Sequence, residues 1–229
     1  MPFGFIAYDT NHLKTEQVLS QWSLNAPQSE IQSSKLYLVP FKPRPTREVF
    51  LAHRPDQTQG THSREIANAV GLEVVSCEEA SDIPSGMDAY IVLGVGLLPN
   101  AFVENNIVIN AHPGIIPRAR GLDSFKWAII NQERVGVTLH KLSSEVDMGD
   151  LWVTKETPVC ANDTLEAFAR RHYEMEIYLL SHFQNYYQTS AQSVAADKAL
   201  PATKRMPKEK EEMLWSAFEA YKNRYAAPI

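Results

Sequence analysis

Residues 107–151 read IVINAHPGIIPRARGLDSFKWAIINQERVGVTLHKLSSEVDMGDL, and this stretch decides how the rest of the chain is interpreted. It begins with a short apolar run rich in β-branched residues, which predicts a strand from Ile107 to His112. Pro113 and Gly114 follow. Because proline donates no hydrogen bond to a sheet and glycine permits a sharp turn, we expect the strand to end at His112.

Two polar side chains lie near the carboxyl end of this predicted strand. Side chains alternate between the faces of a strand, so Asn110 and His112 project to one side while Ile109 and Ala111 face the other. Ligands of open α/β sheets bind outside the carboxyl ends of the strands, which makes Asn110 and His112 a candidate catalytic couple. Taken singly, each could instead hydrogen-bond loose backbone at the turn.

A third polar residue is expected to return to the same place. Residues 136–142 and 151–159 have strand character, and the turn-like segment between them carries Asp147. The sequence therefore predicts an antiparallel hairpin near residues 136–159 that brings Asp147 towards His112.

The remaining sequence alternates strand and helix patterns, which is typical of an α/β protein. We predict a Rossmann-like, open, mostly parallel sheet with helices on both faces. Residues 1–187 would form this domain, and residues 188–206 are polar and predict a linker. Pro207 can begin a C-terminal helical appendage that reaches about Tyr225 and packs on the core or on a partner. The further predicted strands are 3–8, 35–39, 72–76 and 88–93, and the further predicted helices are 10–22, 61–70, 99–104, 122–131 and 165–187.

Composition restricts the functional classes. The 229 residues are 44% apolar and 21% charged with a net charge of −5, which describes a globular chain and argues against non-specific binding of nucleic acid. No apolar run reaches membrane-spanning length and the N-terminus lacks a basic leader, so we expect a cytoplasmic protein without a membrane partner. Cys77 and Cys160 stand alone, and neither a disulfide framework nor a metal site is expected. No glycine-rich turn follows the first strand, which excludes nucleotide binding by that route.

The segment from Asn110 to Gly149 resembles the signature of the folate-dependent formyltransferases that use N10-formyltetrahydrofolate. The matching residues are Asn-x-His-Pro-Gly-x-x-Pro at 110–117, Gly121, Gly-Val-Thr-x-His at 136–140 and Val-Asp-x-Gly at 146–149. The resemblance covers residues 84–187 and is greatest to the compact sugar N-formyltransferases, although their usual Tyr-Asn is replaced by Ile115-Ile116. It implies that residues 1–187 are a formyltransferase catalytic domain with N10-formyltetrahydrofolate as co-substrate and no metal.

In this family the Asn, His and Asp are catalytic, which carries over to Asn110, His112 and Asp147. The residue types suit the reaction: an amide N–H stabilises an oxyanion, a histidine transfers protons near neutral pH, and a carboxylate orients that histidine. The resemblance also assigns folate binding to the loop after the fourth strand and to the turn that carries Asp147. The expected folate-binding residues are Gly96, Leu97, Leu98, Val103, Glu145 and Val146, although the leucines could equally be ordinary core.

The amine acceptor is the open part of the assignment. A methionyl-tRNA acceptor would call for a C-terminal barrel and a basic surface, and a phosphoribosyl amine would call for the missing glycine loop. An amino sugar attached to a nucleoside diphosphate is therefore favoured, with another small amine, a formyltetrahydrofolate hydrolase and a non-catalytic binding module as alternatives. A homodimer is one expected assembly. The cations of the proline-rich loop 41–59 would bind the acceptor's phosphates, unless the loop is only a solvated connection: Lys42, Arg44, Arg47 and Arg54.

Overall fold

A computed structural model describes residues 1–43, 48–193 and 199–227. Its described residues form one seven-stranded sheet with the strand order β3-β2-β1-β4-β5-β6-β7. Neighbouring strands from β3 to β5 are parallel, whereas β6 is antiparallel to both β5 and β7. The strands are β1 (Phe3–Tyr8), β2 (Lys35–Val39), β3 (Glu73–Ser76), β4 (Ala89–Val92), β5 (Val108–His112), β6 (Gly136–Lys141) and β7 (Leu151–Glu156).

The helices have recognisable ends in the sequence. Gly71 adopts a φ of 90° directly after α3, the left-handed conformation that favours glycine at the end of a helix. The Thr164 side chain accepts a hydrogen bond from the Ala167 amide and caps the start of α6. The helices are α1 (Leu13–Asn25), α2 (Gln28–Ser33), α3 (Ser63–Val70), α4 (Asn100–Asn105), α5 (Ser124–Ile130), α6 (Leu165–Ser181), α7 (Lys208–Glu211) and α8 (Leu214–Tyr225).

Helices cover both faces of the sheet. Helices α1, α3 and α6 pack on one face in a cluster that contains Phe5, Ile91 and Ile109. Helix α4 packs on the other face, where Phe102 meets the ring of Tyr90. The predicted Rossmann-like fold, with a mostly parallel sheet between two helical layers, is confirmed.

The sheet positions the polar end of β5 as its alternation predicts. Ile109 and Ala111 are buried in the cluster under α1 and α6, so Asn110 and His112 face the opposite side. In the antiparallel pairing with β6, Asn110 is opposite His140. The predicted hairpin is also confirmed, with β7 ending at Glu156.

The C-terminal residues pack on the body of the protein. The Phe168 ring of α6 stacks on Phe218 of α8, with ring centroids 5.4 Å apart. Residues 199–206 were expected to be part of a linker, yet Met206 is fully buried and Thr203 hydrogen-bonds to the loop before α5. Their polar composition indicated a loop but could not reveal its contacts. The predicted boundary at residue 187 stays a prediction.

Among the described residues, none of the helices is long and apolar enough to cross a membrane.

Candidate active site

The three polar residues predicted to act together lie in one cavity. The His112 Nδ1 atom lies 3.4 Å from Asp147 Oδ1, although the two residues are 35 positions apart in the chain. Asn110 lies on the same side of β5 as His112. All three line a cavity of about 830 Å³ at the carboxyl end of the parallel strands. Open α/β sheets bind their ligands in this position.

Hydrogen bonds fix which nitrogen of His112 carries the proton. His112 Nε2 lies 2.7 Å from the Ala119 carbonyl oxygen and 3.1 Å from Ser124 Oγ. A carbonyl can only accept, and the Ser124 hydroxyl donates to the Gly121 carbonyl at 2.9 Å. The proton of neutral His112 therefore resides on Nε2. Its Nδ1 lone pair faces Asp147 and is the atom that can accept a proton.

Burial sets the protonation state of His112. Its side chain is 5% exposed, and this burial lowers the pKa of His112 below the ordinary value, while Asp147 acts in the opposite direction. The imidazole is thus neutral near pH 7. When it accepts a proton, the new Nδ1–H points at the Asp147 carboxylate, which stabilises the charge.

The Asp147 loop is held from two sides. Asp147 has a φ of 50°, and its Oδ2 atom accepts a hydrogen bond from the Gly121 amide at 2.8 Å. The buried guanidinium of Arg120 donates to the Val146 carbonyl through Nε at 3.1 Å. These bonds tie the Asp147 loop to the loop before α5, which also carries the Ala119 carbonyl that bonds His112. One loop thus orients both His112 and Asp147.

His140 orients the Asn110 amide. His140 Nδ1 lies 3.1 Å from the Lys141 carbonyl oxygen and must donate to it, which leaves the Nε2 lone pair to accept from Asn110 Nδ2 at 3.4 Å. Burial, aided by His112, lowers the pKa of His140 to about 4, so this arrangement persists at neutral pH. One amide N–H of Asn110 is occupied and the other remains to donate. We call Asn110, His112, Ser124, His140 and Asp147 the reacting wall.

A second polar cluster lines the same cavity and is termed the ionic wall: Lys14, Arg54 and Glu176. Glu176 accepts from Lys14 Nζ at 2.8 Å and from Arg54 Nη2 at 2.7 Å, and its side chain is only 1% exposed. Burial, the largest single effect, raises the pKa of Glu176, but Arg54 and Lys14 together outweigh it and lower the pKa to about 2. The Glu176 carboxylate is therefore ionised, and each of its two oxygens accepts a hydrogen bond from a cation.

The predicted binding residues divide into three groups. Leu97, Val146 and Arg54 line the cavity together with the catalytic candidates, and the side chain of Leu97 is 93% exposed. A second group lies outside the cavity lining formed by the described residues: Lys42, Gly96, Leu98, Val103 and Glu145. Arg44 and Arg47 lie outside the described residues.

Physical reasons account for three members of the second group. Val103 is 4% exposed because α4 buries it against the sheet, and Leu98 packs on the same cluster. Glu145 lies 3.4 Å from Arg120 at the outer side of the Asp147 loop. The folate-binding and acceptor-binding roles of all these residues stay predictions.

Sequence reasoning missed Ser124, Lys14 and Glu176. Ser124 gave no signal, because its contact depends on a loop that folds back on β5. Glu176 did give one: it falls on the apolar stripe of α6 with Tyr173 and Ile177, where a charge needs a buried partner. Within the described ranges, no three His, Cys, Asp or Glu side chains are grouped so that they could hold a metal ion.

Residues 85–183 match the family model described as Formyl transferase. This segment, 99 of the 229 residues, is therefore similar to the formyl transferase family. It contains the whole reacting wall and Glu176, whereas Lys14 and Arg54 precede it. The resemblance seen in the sequence is thereby confirmed for this formyltransferase segment.

Individual relatives extend the comparison. A methionyl-tRNA formyltransferase from Koribacter versatilis is 36% identical over 97 residues, which are 41% of this chain and 31% of that protein. The chain thus spans about a third of the length of this curated relative.

Two crystal structures share the fold. One is an N-formyltransferase from Helicobacter canadensis in complex with folinic acid and dTDP-3-aminofucose, with a TM-score of 0.62 at 17% identity. The match covers 100% of this chain and 84% of the Helicobacter canadensis chain. A phosphoribosylglycinamide formyltransferase from Anaplasma phagocytophilum has a TM-score of 0.57 at 17% identity, with 89% and 99% coverage. At these identities the likeness establishes the fold and leaves the acceptor to be determined.

Proposed function

We propose that this protein transfers a formyl group from N10-formyltetrahydrofolate to a primary amine. The observation that carries the proposal is the 3.4 Å approach of His112 Nδ1 to Asp147 beside Asn110, in one cavity of a segment that matches the formyl transferase family. The folate complex of the Helicobacter canadensis protein, which shares the fold, supports a reduced folate as donor.

The reacting wall suits the steps of this transfer. Attack of the amine on the formyl carbon forms a carbon–nitrogen bond and a tetrahedral oxyanion, to which Asn110 donates its remaining amide N–H. His112 Nδ1 accepts the proton that the amine loses, and Asp147 stabilises the imidazolium. The proton then passes to N10 of the folate as its bond to the formyl carbon breaks. No covalent enzyme intermediate is required.

The folate is proposed to lie between the loop after β4 and the Asp147 loop. Leu97 and Val146 come from these two loops, and both line the cavity beside His112. Leu97 is almost fully exposed, and an exposed leucine at a cavity gains most from an apolar ring placed against it. The pterin would supply that ring.

The acceptor is proposed to be an amino sugar attached to a nucleoside diphosphate. The net charge of −5 disfavours tRNA, and the turn after β1 lacks the glycines that a phosphoribosyl acceptor would require. The fold shared with a protein bound to dTDP-3-aminofucose supports the same class. Arg54 lines the cavity with a side chain that is 37% exposed, so it can still meet an acceptor while bonded to Glu176.

The test is an assay of purified protein with N10-formyltetrahydrofolate and a set of dTDP- and UDP-linked amino sugars. We expect tetrahydrofolate to appear together with a product heavier by one formyl group, and only when the acceptor carries a free amine. The matched N-acetylated sugar nucleotide is the control. Tetrahydrofolate and free formate released at the same rate without an acceptor would show a hydrolase instead, and no turnover with any amine would contradict the proposal.

A further inference from the structure

Residues 199–206, here called the C-terminal strip, are bonded to the loop that organises the reacting wall. The Thr203 amide donates to the Arg120 carbonyl at 2.8 Å, and the Leu122 amide donates to the Thr203 carbonyl at 2.9 Å. The Met206 amide donates to Asp123 Oδ2 at 2.8 Å. The strip therefore lies along residues 120–123 as an added backbone layer.

The approach of the strip to this loop is close and specific. Gly121 has a φ of 87°, and a Cβ atom at this position would lie 2.4 Å from the Thr203 carbonyl oxygen. Glycine is thus required both by the backbone conformation and by the strip itself. The same Gly121 amide donates to Asp147, so the strip contacts the residue that holds the catalytic carboxylate.

The strip also supplies part of the cavity surface. Ala202, Thr203 and Arg205 line the cavity that contains His112 and Asp147. Arg205 is exposed as well as lining the cavity, which places it at the open edge. The strip lies beyond residue 183, where the match to the formyl transferase family ends.

The charges along the cavity single out Arg205. Among the residues that the structure describes, three lysine or arginine side chains line it, namely Lys14, Arg54 and Arg205. Glu176 holds the first two at 2.8 Å and 2.7 Å. Arg205 has no carboxylate within ion-pair distance and no side-chain hydrogen bond among the described residues. Its guanidinium group therefore offers the N–H donors of this cavity that are least committed to the protein.

We propose that Arg205 binds an oxyanion group of a substrate at the open edge of the cavity. Guanidinium groups bind phosphate and carboxylate oxygens through two parallel hydrogen bonds, and charge-assisted bonds of this kind are the strong ones. The inference rests on the proposed function, whose substrates present two such groups: the phosphates of the acceptor and the glutamate carboxylates of the folate.

The test compares binding to full-length wild-type protein with binding to Arg205→Ala, Arg205→Lys and Lys204→Ala. Lys204 is the matched control, since it is the exposed neighbouring cation and does not line the cavity. The probes are folinic acid, its triglutamate form, dTDP and UDP, titrated by calorimetry at constant ionic strength. We expect Arg205→Ala to raise Kd about tenfold for one class of probe, the effect of losing a charged hydrogen bond. Arg205→Lys should recover part of the loss, and Lys204→Ala should leave each Kd within about twofold of wild type, as for a remote surface charge.

The pattern of affinity losses across the probes identifies which anion Arg205 binds. A loss confined to dTDP or UDP assigns Arg205 to the acceptor's phosphates, whereas a loss that grows from folinic acid to its triglutamate assigns it to the folate carboxylates. Unchanged affinities in Arg205→Ala, an equal loss in Lys204→Ala, or a wild-type protein that binds none of the probes would each overturn the site. Binding is measured without turnover, so a failed formyl-transfer assay and a failed Arg205 site remain distinguishable.

Discussion

The reacting wall and the ionic wall face the same cavity, and each centres on a buried carboxylate. Asp147 lies 3.4 Å from His112, whose neutral imidazole can take up a proton. Glu176 lies 2.7 Å from Arg54, a guanidinium that stays charged, and 2.8 Å from Lys14, whose pKa burial lowers. The first carboxylate thus faces the group proposed to take up a proton, and the second is held by two cationic side chains.

Because of this difference, we expect the reacting wall to serve proton transfer and the ionic wall to hold segments of the fold together. A proton can move to His112 because its Nδ1 atom has a free lone pair and Asp147 stabilises the product. The ionic wall has no such capacity, because every oxygen of Glu176 is already occupied. Its contribution is to join α1, the loop at Arg54 and α6 on one side of the cavity. Substitutions in the ionic wall should therefore affect stability first, and those in the reacting wall should affect turnover first.

The largest effect is expected for Glu176→Gln. This change leaves Lys14 and Arg54 as unpaired cations, and Lys14 is only 10% exposed. We expect unfolding free energy to fall by about 3–5 kcal/mol, the usual cost of breaking a buried ion pair by removing one partner. Denaturant unfolding measures it.

An exposed pair in the same protein is the control. Lys208 and Glu48 also lie 2.8 Å apart, but their side chains are 46% and 76% exposed. Glu48→Gln should leave the unfolding midpoint unchanged, because surface ion pairs contribute little. Equal losses in Glu176→Gln and Glu48→Gln would refute the architectural role of the ionic wall.

The next effect concerns turnover. His112→Ala and Asp147→Ala should each reduce kcat by about a hundredfold or more, the range expected for a positioned proton transfer. Steady-state kinetics of the formyl transfer measure it, and His182→Ala, which changes a histidine away from the cavity, should retain normal kcat. Near-normal kcat in a folded His112 or Asp147 variant would remove that residue from the proposed mechanism.

More of the reacting wall than of the ionic wall could be predicted from the sequence, because Asn110, His112 and Asp147 lie on one strand and the hairpin beside it. Asn110 and His112 are two residues apart on one strand, and the period of a strand is enough to place them together. Asp147 required only a hairpin, whose two strands and turn are legible in the sequence. The mostly parallel character of the sheet followed from the alternation of strands and helices.

The ionic wall joins three distant segments, and no short-range pattern connects them. Lys14, Arg54 and Glu176 could be found only one at a time, as charges on apolar helix faces or in a loop. Arg54 was predicted, as one of four loop cations, to bind phosphate. The structure shows that its first partner is Glu176, a contact that depends on how α6 packs against the loop.

A third prediction concerns pH. Burial lowers the pKa of His12 to about 4, of His53 to about 3 and of His172 to about 4. In the unfolded chain these groups take up protons near pH 6.5, whereas the native protein does not, so protonation favours unfolding. Their contribution to stability is complete above pH 6.5 and is lost as the pH falls towards 4.

The ionic wall adds a separate window at lower pH. The pKa of Glu176 is depressed to about 2, so its contribution is present above the ordinary carboxyl range and is lost only as the pH falls from there towards 2.

The histidine window is the one to measure first. Because of the three buried histidines, the denaturant midpoint, measured at intervals from pH 7.5 to 4, should begin to fall near 6.5. His172→Asn should flatten this fall. A midpoint that stays constant down to pH 5 would mean that these histidines are not held neutral.

The smallest effect is expected for Ser124→Ala, within the reacting wall itself. Ser124 Oγ accepts from His112 Nε2 at 3.1 Å, but the Ala119 carbonyl accepts from the same nitrogen at 2.7 Å and survives the substitution. The tautomer of His112 is then preserved, and only one neutral hydrogen bond is lost. Such a bond contributes about 0.5–1.5 kcal/mol, so kcat should fall by roughly two- to tenfold. Ser216→Ala, a substitution of a serine on α8 outside the cavity, should have no effect. A hundredfold loss in Ser124→Ala would place the hydroxyl among the groups that move protons, and an unchanged kcat would leave the Ala119 carbonyl alone as the group that fixes His112.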